Sequence, residues 1–283
     1  DHRDLHKEYR RQRQMCIRDS HKTTYNFSSN VPKLMQSIRL YPSNCKNQKT
    51  ISWSIKSDKG MITESHSDAL GHKIFNIYNK EIIGSQTIIS KGIVETKDTS
   101  GVLKGLKEKV NTLCFLRDTE LTKACRKIDL LSKKLSKNKS NEILFCHEMN
   151  NVVSQSIKYM SGSTSIYTSA SDSISQGSGV CQDFAHILIS LARKNNFPAR
   201  YISGFLMDEN GTAEHATHAW VEIFINDLGW VGFDPSHNKC IDEGYVRVCC
   251  GLDSLDSSMI KGVKTNFNGD ENLKVDVSIS NCQ

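Results

Sequence analysis

GSGVCQDFAHILISLARKNNFPARYISGFL, residues 177–206, decides how the chain is read. Phe184, Ile187, Leu188 and Leu191 recur at steps of three and four, which predicts an amphipathic helix opening at Cys181. It ends near Asn195 and Asn196, ahead of Pro198, which cannot continue it. RYISGFLM (200–207) then turns to the aromatic and β-branched chemistry of a strand. HAWVEIF (218–224) and GWVGFDP (229–235), joined by Ile-Asn-Asp-Leu, form a predicted hairpin.

Three residues on these elements point to covalent catalysis. Cys181 opens its helix, where unpaired N–H groups and the positive end of the macrodipole favour a thiolate. The preceding GSGV lets the backbone turn sharply and a substrate carbonyl approach closely. Antiparallel return of the hairpin brings His218, on its first strand, near Asp234 at the end of its second. Nucleophile, base and orienter thus follow in the order Cys181, His218, Asp234. Gln182 and Gln176 are candidate oxyanion donors, and His186 and Trp220 candidate cleft residues. His215 and His218 form an HxxH pair, which on a strand points to opposite faces and makes no metal site. Neither metal nor cofactor is expected. Cys249 and Cys250 alternate on a strand and read as core and edge.

Upstream, Leu121, Ala124, Ile128, Leu131 and Leu135 have helical spacing after possible caps Asp118 and Thr119. A second helical face carries Ile143, Cys146, Met149, Val153 and Ile157, with Ser140 as its cap. Between them KKLSKNKSN (133–141) reads as a solvated lysine run, and SGSTSIYTSASDSISQGSG (161–179) as a loop. From His21 to Thr99 the runs TTYNF, QSIRLYP, KTISWSIKS, HKIFNIYN and SQTIISKGIVET predict strands of an antiparallel sandwich. YVRVCC (245–250) and LKVDVSIS (273–280) are expected to form one more strand pair. Residues 1–20 lack either periodicity, and RRQRQMCIRDS resembles translated sequencing adapter, so they are set outside the fold and the natural start is left open.

Composition excludes other classes. With 283 residues, 37% hydrophobic and 24% charged, the chain is long and apolar enough for one large or two modest cores rather than disorder. Its net charge of +6 falls to +4 without the first twenty residues, too little and too dispersed for a nucleic-acid partner. No run approaches the roughly 18 apolar residues of a membrane helix. Ten irregularly spaced cysteines without an apolar leader read as reduced thiols, and hence a cytoplasmic location is expected.

Taken together, GSGVCQDFAHILISLARKNNFPARYISGFL, THAWVEIF and GWVGFDPS, with YMSGSTSIYTSASDSI upstream, resemble the transglutaminase-like superfamily, and more narrowly its bacterial, cysteine-protease-like members. TTYNF, SIRLYP, SWSI and ALGHKIF resemble the β-domain that precedes that core. The resemblance implies an α+β fold, a papain-like core over 101–283 behind an antiparallel sandwich-like domain over 21–100, with 1–20 as a tail. It implies Cys181 as nucleophile, His218 as general base and acid, and Asp234 as orienter. The implied activity is hydrolysis of peptide or amide bonds through an acyl-thioester; protein cross-linking by amine capture and a catalytically inactive peptide-binding module are the alternatives. The partner is a peptide or protein substrate, with neither nucleic acid nor membrane, and the oligomeric state is left open. One stretch departs from the pattern: where the family runs through a Gly-Arg-Asp-Tyr-like segment this chain has CCGLDSLDSS, with Asp253 matching the Asp, Leu252 at the basic position and Ser254 at the aromatic one.

Overall fold

The computed structural model describes residues 14–63, 65–138, 140–207 and 217–282. Seven strands come first: β1 (Gln14–Phe27), β2 (Lys33–Ile38), β3 (Gln48–Ser57), β4 (Met61–Ile62), β5 (His66–Ser67), β6 (Lys73–Asn79) and β7 (Ser85–Lys97). A helical segment follows, with α1 (Arg126–Lys134), α2 (Glu142–Ser154), β8 (Lys158–Tyr159), α3 (Ala170–Gln176), β9 (Ser178–Gly179) and α4 (Cys181–Lys194). The core sheet then forms from β10 (Ala199–Leu206), β11 (His218–Ile225), β12 (Gly229–Asp234), β13 (Lys239–Cys240) and β14 (Tyr245–Gly251). The chain closes with β15 (Ile260–Thr265) and β16 (Glu271–Asn281).

The core is α+β, as expected. Its sheet runs β13-β12-β11-β10-β14, antiparallel at every pairing. Strand alternation sends Ala219, Val221, Ile223 and Ile225 of β11 into one apolar cluster with Phe184, Ile187, Leu188 and Leu191 of α4, while Trp220 joins a different cluster with Trp230, Tyr245 and Cys250. Residues 183–193 of α4 are all buried, so this helix is the centre of the core rather than a half-exposed cover. Asn196 takes a left-handed conformation (φ 67°), the turn that ends α4 ahead of Pro198.

The N-terminal strands form two sheets, β16-β1-β7-β3 and β15-β2-β6-β4 with β5 on β6. Ile17, Ile38, Ile77, Ile88 and Val94 share one cluster with Phe205, Val246 and Val248 of the core sheet. Polar contacts cross the same junction. Gln48 exchanges two hydrogen bonds of 2.7 Å with the Arg247 backbone, and the Cys250 N–H donates to His72 Nε2 at 2.9 Å.

Several sequence expectations need correction. Residues 14–20, set aside with the tail, form the first half of β1 and pair with both β7 and β16. LKVDVSIS does not pair with YVRVCC: β16 lies on β1 and β14 on β10, so the end of the chain returns to the N-terminal sheets across the drawn boundary at 100. The strand pattern identifies both segments, but β14 pairs across the intervening β11–β13 strands and β16 with the far end of the chain, beyond any local signal. The first helix is shorter than its apolar spacing suggests, beginning after Cys125, and α2 is capped by Asn141, whose Oδ1 accepts from the Leu144 N–H at 3.2 Å, not by Ser140. The serine-rich loop contains α3. Ser169 and Asp172 form a reciprocal capping box there, a Ser-x-x-acid signature hidden by a serine-rich composition. Cys249 and Cys250 are both fully buried on β14, the end strand of the core sheet, and face different apolar clusters, so both are core residues.

Candidate active site

Gly179 precedes α4 where a Cβ would come within 2.6 Å of the Asp183 Cβ, so the close approach of the 178–180 backbone to the first turn requires glycine. Asp183 Oδ2 accepts from the Val180 N–H at 2.8 Å and from Thr164 Oγ1 at 2.6 Å, tying the helix start to the 160s loop. Cys181 therefore occupies the first helical position, half-buried, on a rigid start.

The hairpin delivers its partners. In the β11–β12 register Val221 faces Phe233, and Asp227 (φ 40°) and Gly229 (φ 86°) form the turn. His218 Nε2 lies 2.7 Å from Asp234 Oδ2, and the same imidazole is hydrogen-bonded to Cys181, for which Nδ1 remains. Burial alone would lower the His218 pKa, but the bonds to Asp234 and Cys181 carry it up to about 10. Asp234 is fully buried; burial works against its charge, yet the His218 and His237 donors hold its carboxyl well below the usual range. Structure thus brings Cys181, His218 and Asp234 together.

Asp234 is held from three more sides that the sequence reading missed. Ser236 donates its N–H (2.9 Å) and hydroxyl (2.6 Å) to Oδ1, His237 Nδ1 sits 2.8 Å from Oδ2, and the Tyr245 hydroxyl donates to Oδ2 at 2.8 Å. The first two follow from the Asp-Pro-Ser turn, where an Asp accepts from the amides after it, so the motif itself carried the signal. Tyr245 comes from β14 and had none. Trp220 stacks behind His218, with centroids 6.3 Å apart, and meets Tyr245 edge-on at 5.4 Å.

The other candidates are placed differently. Trp220 is fully buried, a floor beneath His218 rather than a cleft wall. His186 is fully buried too, with Nε2 accepting from the Ser254 N–H at 3.2 Å and its ring against Tyr201; burial lowers its pKa to about 4, so it is a neutral core histidine. The amides of Gln176 and Gln182 donate to the carbonyls of Ser163 (2.8 Å) and Ser165 (3.1 Å), which gives both the task of fastening the 160s loop. His215 of the HxxH pair lies outside the described residues. No described helix is long and apolar enough to cross a membrane.

Comparison with known proteins agrees with this geometry. Residues 129–235 match the model of the transglutaminase-like superfamily, and residues 17–95 that of the bacterial transglutaminase-like N-terminal region. The chain belongs to the transglutaminase-like superfamily. The core match runs from within α1 to just past the end of β12 and so contains Cys181, His218 and Asp234, while the N-terminal match begins inside β1. An uncharacterized protein of Mycobacterium leprae is 25% identical over 93% of this chain and 98% of its own length, and one of Mycobacterium tuberculosis is 28% identical over 93% and 91%. A crystal structure of a candidate cysteine protease from Cytophaga hutchinsonii superposes with a TM-score of 0.77 at 21% identity, covering 96% of this chain and 92% of that one, which shows a shared fold.

Proposed function

We propose that this transglutaminase-like protein is a cysteine hydrolase of peptide or amide bonds. The observation that carries the reading is the continuous chain from Cys181 through His218 to a buried, fully coordinated Asp234. Sulfur attacks the carboxamide carbon as a thiolate, its proton passing to His218. The Cys181 N–H, in a first turn with no carbonyl ahead of it in the helix, donates to the developing oxyanion. His218 then passes its proton to the departing amine, leaving an acyl-thioester. Neutral His218 next takes a proton from water as that water attacks the thioester, releasing the acid and regenerating the thiol. Asp234 stays ionised throughout and keeps the Nδ1 edge of the ring turned to sulfur.

The test is turnover of a peptide-amide panel in 18O water, with Cys181→Ala as control. Expected are one 18O in the product acid, a thioester adduct mapped to Cys181, and no turnover in the variant, with its fold intact because alanine opens little space. An active alanine variant would sink the covalent mechanism. If an added amine rather than water resolves the adduct, the protein is a cross-linking acyltransferase on the same triad.

A further inference from the structure

The triad carboxylate serves two histidines. His237 Nδ1 and His218 Nε2 both point at Asp234 Oδ2, at 2.8 and 2.7 Å, and the rings stand 5.3 Å apart at 65°. Two imidazole nitrogens and one carboxylate oxygen therefore lie within 4.8 Å of one another. We propose that His218, Asp234 and His237 form a capture site for a zinc-class divalent cation, and that its occupation switches the triad off.

Ligand chemistry selects the cation. Imidazole nitrogen with a single carboxylate suits zinc, cobalt, nickel or copper, whereas calcium and magnesium require a shell of six or more oxygens. Zinc binds such ligands at about 2.0 to 2.2 Å, with an open fourth position for water. The nitrogens and the oxygen must separate by well under 1 Å from their present contacts to admit it. His237, with 48% of its side chain exposed, can supply most of that movement and a route in from solvent, while Asp234 at 0% and His218 at 12% need shift only slightly. The supporting shell is already built. Ser236 holds Oδ1 and Tyr245 orients the carboxylate, the kind of outer contact that positions metal ligands.

Protons balance as follows. The His237 tautomer with its proton on Nε2, in solvent, offers Nδ1 to the metal. An imidazolium at His218 releases its Nε2 proton to bulk and keeps the one on Nδ1, facing Cys181. Three metal–ligand bonds form and one proton leaves. With its second nitrogen on the metal, His218 retains an N–H that it cannot give up to a leaving amine and no lone pair with which to take a proton from water, so both halves of the reaction stop. The inhibitory part rests on the hydrolase reading of this triad; the binding part does not.

Cobalt(II) titration of the Cys181→Ala protein tests the binding, because its visible d–d bands report nitrogen and oxygen coordination without the catalytic thiol. Expected is one cobalt whose bands weaken at least tenfold in affinity in Cys181→Ala/His237→Asn, an amide that keeps a donor to Asp234 but ligates such metals poorly. In the wild-type sulfur-containing protein, zinc should abolish amide turnover and a chelator should restore it, and His237→Asn should need at least tenfold more zinc. Cobalt binding with no turnover in any variant would leave the metal site standing and refute the hydrolase. Absence of the bands in Cys181→Ala, sulfur-to-cobalt charge transfer as the sole signal, or equal affinity with and without His237 would overturn the site.

Discussion

Asp234 Oδ2 receives donors from His218, His237 and Tyr245, and the phenol is the one that arrives from β14. Tyr245→Phe removes that donor without changing the ring that Trp220 packs against, so the carboxylate loses both orientation and a charge-assisted bond. A several-fold fall in kcat with little change in KM is expected, with a loss of about 1.5 to 3 kcal/mol in stability. Wild-type kinetics in Tyr245→Phe would show that Ser236 and the histidines suffice. Asp19 on β1 makes a different point. It is 1% exposed, and burial, only partly offset by the Ser20 N–H, raises its pKa to about 7. Between the ordinary carboxylate value near 4 and about 7 the folded chain holds a proton that the unfolded chain has lost. Stability therefore falls as pH rises through that window and is flat above it. Asp19→Asn should raise the melting temperature clearly at pH 8 and scarcely at pH 4; equal shifts at both would refute the buried charge.

At the scale of elements, the site depends on how closely β10 lets its neighbours approach. A Cβ at Gly204 would stand 2.2 Å from the Val246 carbonyl and 2.4 Å from the Trp220 ring, a clash with both sides of the strand's surroundings. Trp220 lies over this glycine and supports His218 from behind, so Gly204→Ala must move either the indole or β14. Overpacking of this kind costs about 1 to 3 kcal/mol. The expected result is a lower melting temperature together with reduced kcat, read by calorimetry and amide turnover. Full activity in a destabilised variant would mean that Trp220 only packs.

Over the whole molecule, the two family regions share their interior. Phe205, Val246 and Val248 of the core sheet lie in the same apolar cluster as Ile17, Ile38 and Ile88, and β16 covers the outer edge of β1 along eleven paired positions. Deleting residues 271–282 strips that edge and leaves a long row of unpaired backbone groups, a template for association between chains. The shortened protein should melt earlier and aggregate, as measured by calorimetry and light scattering. An unchanged, monodisperse protein would show that β1 and β7 hold the sheet without β16.

What was legible in the sequence was local. The helix at Cys181, the 218–234 hairpin and the strand runs before Thr99 each follow from side-chain period and turn chemistry, because apolar faces must find a core at period 3.6 or 2. The meeting of Cys181, His218 and Asp234 was readable for the same reason: one opens an element and two lie on one hairpin. What those signals could not reach was decided by packing. The pairing of β16 with β1, the passage of Tyr245 to Asp234, and the burial of His186 and Trp220 join residues that no short-range pattern relates. Even the amides of Gln176 and Gln182 were assigned by the 160s loop that folds over them, since a side chain's donors go to whatever acceptor the tertiary structure places within about 3 Å.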